Sequence, residues 1–282
     1  MIELEIAGGA KPTTLICVFR GWSDSAQAAS LAMEYLRDGS QSHKVGEIDP
    51  EEFYDFQVAR PTVHLVDGMT RDIRWPQNQF LVAKIDGLDV LLFDGIEPNL
   101  RWRTFCSEII SSAQRVGIDR LITLGAFYVD VPHSRIPAVI GTSSDPDLSE
   151  ELGLIRSQYE GSTGIVGVLQ HAAGQAGMTS ISFWTGAPHY LASVPNPRIA
   201  LALLEKLSEF IGISPDTTSL QDAVGVWETQ VAEIVSANEE LSAYVARLEE
   251  LYADVVTDMR IPSGEELSRQ LEEFQRNTFR ND

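Results

Sequence analysis

The sequence predicts an α/β protein: a three-layer α/β/α body around a mostly parallel central sheet, followed by a C-terminal helical extension. Three observations lead there. Short, mostly apolar runs recur between residues 14 and 184, as strands covered on both faces require. Helix-patterned stretches alternate with them, and that rhythm closes into a parallel sheet with helices on both sides. From residue 216 onward the chain turns strongly acidic and its periodicity becomes purely helical.

Taken in order, the expected strands are residues 14–19, 62–66, 80–85, 89–93, 121–124, 138–140 and 180–184. The expected helices are residues 24–37, 100–116, 165–176 and 197–210, with Pro197 suited to a first helical turn. Residues 45–55, which include Phe53 and Tyr54, fit neither pattern and read as an irregular insertion over a pocket or a neighbour. Together these elements make residues 1–213 the α/β core domain.

Residues 216–282 form the extension, with 15 acidic residues against five arginines and no lysine. From Leu220, apolar positions step by four and three. Leu220, Trp227, Ile234, Leu241, Leu248 and Val255 fall on d, and Val224, Val231, Asn238, Val245 and Tyr252 on a. The pattern is that of a coiled coil with one asparagine buried in its seam. Ile261-Pro262-Ser263-Gly264 ends it, and Leu267, Leu271 and Phe274 mark a second short helix. The extension reads equally as an antiparallel helical hairpin, closed inside one chain or packed on the main body, and as an arm for self-association or a partner.

A formal net charge of −20 and a pI near 4.5 repel phosphate backbones and anionic lipid, so neither nucleic acid nor membrane is expected as a partner. Cys17 and Cys106 are too few for a disulfide framework. The start of the chain is acidic rather than basic, and no apolar run approaches the roughly 18 residues of a membrane span. The expectation is a cytoplasmic protein. No histidine or cysteine pair has metal-ligand spacing, so no metal and no cofactor are expected.

In an open parallel sheet, ligands bind beyond the carboxyl ends of the strands, and the unusual residues gather at those predicted ends. Arg20, Gly21, Trp22 and Asp24 follow the first strand. Glu97, Arg101 and Trp102 follow the fourth, His133 and Arg135 the fifth, His189 and Tyr190 the last. "YEGSTG", with Glu160, Gly161 and Thr163, leads into the helix at residue 165. These residues are candidates for a ligand or partner rim, with no catalytic set assigned. Asp24 reads first as a helix cap, and its carboxylate would repel a phosphate at the same helix end. "YEGSTG" is the better anion cradle but lacks the lysine of a phosphate-binding loop. There is no G-x-S-x-G elbow, and neither cysteine has a neighbouring base.

Five segments in one order, "GWSDSAQAA" (21–29), "DGIEPNLRWRTF" (94–105), "VPHSR" (131–135), "YEGSTGIVGVL" (159–169) and "PHYLASVPNPRIALALLEKL" (188–207), resemble the proteasome assembly chaperone 2 family, especially its actinobacterial and archaeal members. The resemblance implies a three-layer fold related to purine nucleoside phosphorylases. It implies a homo-oligomer and, by analogy with eukaryotic relatives that help build proteasome α rings, proteasome subunits or another protein complex as partners. Some relatives engage those rings through a terminal hydrophobic–Tyr–any-residue tail; here the last residues are Arg280-Asn281-Asp282. The expected function is that of a non-enzymatic interaction protein. The alternative is an enzyme or sensor that binds a nucleoside-like or small anionic ligand through Arg20, Glu97, Arg101, His133, Arg135 and Glu160.

Overall fold

The computed structural model describes residues 2–6, 8–135, 137–143, 145–151, 154 and 160–252. In chain order the strands are β1 (Thr14–Arg20), β2 (Gln41–Glu47), β3 (Thr62–Val66), β4 (Thr70–Arg74), β5 (Gln79–Ile85), β6 (Leu88–Ile96), β7 (Arg120–Val129), β8 (Val139–Ser143) and β9 (Thr179–Pro188). The helices are α1 (Ala28–Asp38), α2 (Trp102–Arg115), α3 (Pro146–Glu151), α4 (Ile165–Gln175), α5 (Pro197–Ile211), α6 (Thr218–Ser236) and α7 (Glu239–Leu251). Seven strands make one sheet in the order β2-β5-β6-β1-β7-β9-β8. The central β6, β1, β7 and β9 run parallel, while β5 and β8 join them antiparallel and β2 pairs antiparallel with β5. The expected three-layer α/β class is what forms.

Alternation along β1 builds both layers of the core. Ile16 and Val18 face α1 and α5, where they meet Met33, Leu36, Leu203 and Leu207. Leu15, Cys17 and Phe19 face α2 and α4, where they meet Ile109, Ile165 and Leu169. Each fully buried side chain of this size contributes about 1.5–3 kcal/mol. Phe93 stands 5.5 Å from Phe19 and 6.1 Å from Phe105, in tilted and edge-to-face geometry. Helix α5 shows why its boundaries were readable. The Asn196 side chain accepts from the Ile199 amide at 3.1 Å, Pro197 opens the first turn, and Gly212, at φ 74°, closes the last.

Several expectations need correction. Residues 62–66 do form a strand, but β3 pairs only with β4 in a separate two-stranded sheet, and its side chains are exposed. Residues 45–55 are no irregular insertion throughout: residues 41–47 form β2, and a single 3-10 turn follows at Pro50–Glu52. With only Val45 buried in β2, the strand carries almost no apolar signal. It survives as an edge strand, and its outer side is lined by residues 2–6: the Glu5 amide donates to the Val45 carbonyl at 2.8 Å, and Leu4 lies against Gly46.

The extension departs most. The continuous heptad helix breaks at Asn238, which is exposed and caps α7 by accepting from the Leu241 amide at 3.1 Å. It is a helix start, not a seam residue. The described part packs on the body, and the turn expected at Ile261-Pro262-Ser263-Gly264 lies outside the described residues. Helix α6 packs on α5, with Leu220 joining the main core and Trp227 and Val231 packing on Leu191. Val255, Leu267, Leu271 and Phe274 lie outside the described residues.

Candidate functional site

The parallel strands place Arg20, Ile96, Val129 and Pro188 at one edge of the sheet, so the loops singled out in the sequence do converge. At the end of β1 the chain turns through Gly21, at φ 137°, where a Cβ would lie 2.9 Å from the Glu97 Cβ. Only glycine suits both the backbone angle and the approach. Ser23 and Asp24 then run beside β7: the Ala126 amide donates to the Ser23 carbonyl at 2.9 Å.

Asp24 is buried, and its Oδ1 accepts from the Ala29 and Ser30 amides at 2.8 and 3.0 Å. These are the free donors of the first turn of α1, so the expected capping role holds, reached from outside the helix across a left-handed pair, Ala26 and Gln27. Burial pushes the Asp24 carboxyl up to about 6, against the lowering effect of the Ser30 and Ala29 hydrogen bonds.

Glu97 does the same for α4. Its Oε1 accepts from the Ile165 amide at 2.8 Å and its Oε2 from the Trp22 amide at 3.2 Å. Burial raises its pKa, and those two amides oppose the rise. A Cβ on Gly164 would meet Trp22 at 2.7 Å, Glu97 Oε1 at 3.0 Å and Ser23 Oγ at 3.1 Å, so the two loops close tightly over the helix end. Two of the helix N-termini at this edge, those of α1 and α4, are thus filled by the chain's own carboxylates. Thr163, whose hydroxyl donates to the Gly164 carbonyl at 3.4 Å, and the exposed Glu160 and Gly161 lie just before α4, outside that closure.

The arginines are engaged elsewhere. Arg20 pairs with Asp94 at 2.5 Å and Glu34 at 3.0 Å, and Asp94 also meets Arg37 at 3.3 Å. Although burial of Arg20 opposes it, these carboxylates raise the Arg20 pKa above its usual value. Arg101 pairs with Glu52 at 2.5 Å and lies 5.9 Å from the centre of the Phe53 ring. Trp102, the first residue of α2, packs against the core on that side of the sheet, with its indole N–H donating to the Pro98 carbonyl. The structure therefore does not assemble Arg20 and Arg101 into one anion-binding group.

His133, His189 and Tyr190 form a second cluster with residues of α6 and α7. The Tyr190 hydroxyl oxygen accepts from the His133 amide at 2.7 Å and lies 2.8 Å from His133 Nδ1. His189 Nδ1 lies 3.0 Å from Asp130 Oδ1, and the Tyr244 hydroxyl donates to the same oxygen at 3.3 Å. Tyr244 packs edge-on against His189 and Tyr190 at 5.6 and 5.8 Å. Arg198 donates to the His133 and Ser134 carbonyls and to Glu228, and Ser134 Oγ donates to Glu249 at 2.7 Å. Arg135 lies over the Tyr252 ring at 5.5 Å. Burial lowers the His133 pKa, opposed by Glu249 and assisted by Arg198; burial pushes Tyr190 up to about 12. This half of the edge is the seat of the C-terminal helices.

Tyr128 joins the halves: its hydroxyl accepts from the Ala26 amide and donates to the Ala192 carbonyl, both at 3.0 Å. Tyr128, Arg198 and Tyr244 were not among the expected site residues, because one sequence carries no signal for partners brought together from distant positions. Among the described residues, no group of three or more His, Cys, Asp or Glu side chains could hold a metal ion, and no helix is long and apolar enough to cross a membrane. A shallow groove of about 600 Å³ lies at the opposite edge of the sheet, between Gly39, Gly87 and Pro215.

Compared with known proteins, residues 18–235 match the PAC2 family. A PAC2 family protein of Streptomyces avermitilis is 38% identical over 82% of this chain and 99% of its own, with a TM-score of 0.77. A proteasome-assembly chaperone homologue of Mycobacterium tuberculosis is 36% identical over the same shares, with a TM-score of 0.75. A second M. tuberculosis protein, of unknown function, is 25% identical over 90% of this chain and 88% of its own, at a TM-score of 0.81. No curated protein matches the chain. The five ordered segments that meet at one sheet edge, the matched span and the shared architecture agree: the chain belongs to the PAC2 family.

Proposed function

We propose that this protein is a non-enzymatic, proteasome-assembly-chaperone-like homo-oligomer of the cytoplasm, whose work is done by protein surfaces rather than by a reaction centre. In this reading residues 1–213 are the α/β core and residues 216–282 an acidic extension, whose helices α6 and α7 lie at its carboxyl edge. One observation carries it: two helix ends at this edge where a small anion could sit, those of α1 and α4, are filled by Asp24 and Glu97. The M. tuberculosis chaperone homologue supports the choice of proteasome subunits as partners. Purified full-length chain, immobilised and exposed to proteasome α and β subunits of its own cell, should retain α subunits or their partial rings. Failure to retain either, while the chain itself is folded, overturns the assignment. A nucleoside or phosphate ligand would argue for the enzyme or sensor reading, and melting curves decide it: at 100 times its dissociation constant such a ligand adds about 2.7 kcal/mol.

A further inference from the structure

The hairpin of β3 and β4 carries an uncovered apolar face. The register sets Val63 opposite Ile73 and Leu65 opposite Arg71. With side chains alternating along each strand, these four share one face, while Thr62, His64, Asp72 and Arg74 share the other. Val63, Leu65, Val66, Met69, Ile73 and Trp75 are between 43% and 87% exposed. An isolated two-stranded hairpin is marginal in water, and clustered apolar side chains on so charged a protein mark a surface meant for covering. Trp75 packs edge-on against Phe56 at 4.8 Å, which ties the hairpin base to the body and leaves the face open.

A surface of matching chemistry lies at the far end of the same sheet edge. Val226, Ile234 and Leu251 are exposed on α6 and α7, two helices with seven acidic residues against Arg247 alone. Arg71, in the middle of the hairpin's apolar face, has no partner among the described residues. The chain thus presents an apolar patch with a cation at one end and an apolar patch among carboxylates at the other. The hairpin runs into β5, whose first residue Gln79 pairs with Asp94 at the carboxyl edge. Helices α6 and α7 cover the same edge beside β9. Between β5 and β9 stand β6, β1 and β7, a separation of four strand spacings or about 19 Å. The two patches of one molecule therefore face different neighbours.

We propose that the β3–β4 hairpin of one copy docks on the α6–α7 surface of a second copy, head to tail. Val63, Leu65 and Ile73 cover Val226 and Ile234, and Arg71 meets the carboxylates of Asp222 or Glu233. The inference rests on the homo-oligomer reading above and names its contact. Unlike patches joined in this way close into a ring or continue as a filament according to the rotation between copies.

The test uses the full chain. Its solution mass is compared with that of Leu65→Asp/Ile73→Asp on the apolar face and His64→Glu on the polar face, with circular dichroism reporting the fold. The parent and His64→Glu should share one oligomeric mass, and the double variant should run as a folded monomer. Independently, differently tagged Leu65→Cys and Ile234→Cys chains, produced in the same cells, should cross-link to each other and not to themselves, the native Cys17 and Cys106 being buried. An assembled parent whose double variant stays assembled, or whose Leu65→Cys chains link only to one another, overturns the head-to-tail contact and leaves the homo-oligomer intact. A monomeric parent overturns the homo-oligomer reading itself.

Discussion

Glu97 and Ile165 stand 68 positions apart, yet the Ile165 amide donates to Glu97 Oε1 at 2.8 Å and makes a side chain from the end of β6 the cap of α4. With Trp22 on its other oxygen at 3.2 Å, Glu97 holds three segments together. Glu97→Ala leaves two amide donors without this acceptor, each loss costing about 1–3 kcal/mol. Glu97→Gln keeps one carbonyl oxygen and should fall between. Urea unfolding of the three proteins checks the order; an Ala variant as stable as the parent would remove the capping role.

Asp24 gives stability a pH dependence of unusual sign. Its folded-state pKa is about 6 against 3.8 for the free group, so the folded chain holds the proton more tightly. Asp24 is neutral in both states below about pH 3.8, and charging it costs stability as pH climbs from there through 6. At about 1.4 kcal/mol per unit, the parent should lose about 2 kcal/mol relative to Asp24→Asn between pH 4 and 7. Unfolding free energies of the two proteins across that range should diverge; parallel curves would mean that Asp24 is not buried as described.

Asn238 separates two views of the extension. As the cap of α7, it should lose about 1 kcal/mol on replacement by valine, and Asn238→Asp should be tolerated. A coiled-coil seam would respond in the opposite direction, with valine stabilising. Thermal melts of both variants decide it.

Gly164 is enclosed by Trp22, Glu97 and Ser23. In Gly164→Ala the new methyl group has to displace the Trp22 ring or the Glu97 carboxylate, at a cost of about 1–3 kcal/mol. Emission from Trp22 should shift with the loss, measured against Gly177→Ala, a position with no atom within 4 Å but with φ at 76°. A Gly164 variant with unchanged emission and stability would mean that the loops are not closed over α4.

How legible this molecule is in its sequence depends on what each residue packs against. The four central parallel strands are apolar on both faces and could be read directly, as could α5 between Asn196 and Gly212. Of the antiparallel strands, β5 and β8 were legible too, but β2 and β4 were not: β2 has a single buried side chain, and β4 is a partner that only the β3 pairing defines. For the extension the spacing of Leu220, Trp227 and Val231 was informative, since all three are buried. The 3.5-residue repeat then continued across Asn238 because a helix pair folded against a body repeats its apolar positions much as a coiled coil does. At the candidate edge, the sequence placed the loops together but could not sort them. That Arg20 turns to Asp94, Glu97 to α4 and His133 to Tyr190 depends on long-range partners with no local pattern.

The short run ahead of β1 has a role beyond local packing. By hydrogen bonding to Val45, Glu5 occupies a carbonyl of β2 that faces outward at the margin of the sheet. The Ile2 carbonyl, which accepts from Ser112 Oγ at 3.2 Å, pins the run to α2. Trimming those few residues, or pulling them away with a bulky fusion, would bare a strand able to recruit another chain's backbone and seed open-ended accretion. An affinity tag should therefore be kept clear of Ile2 through Ile6.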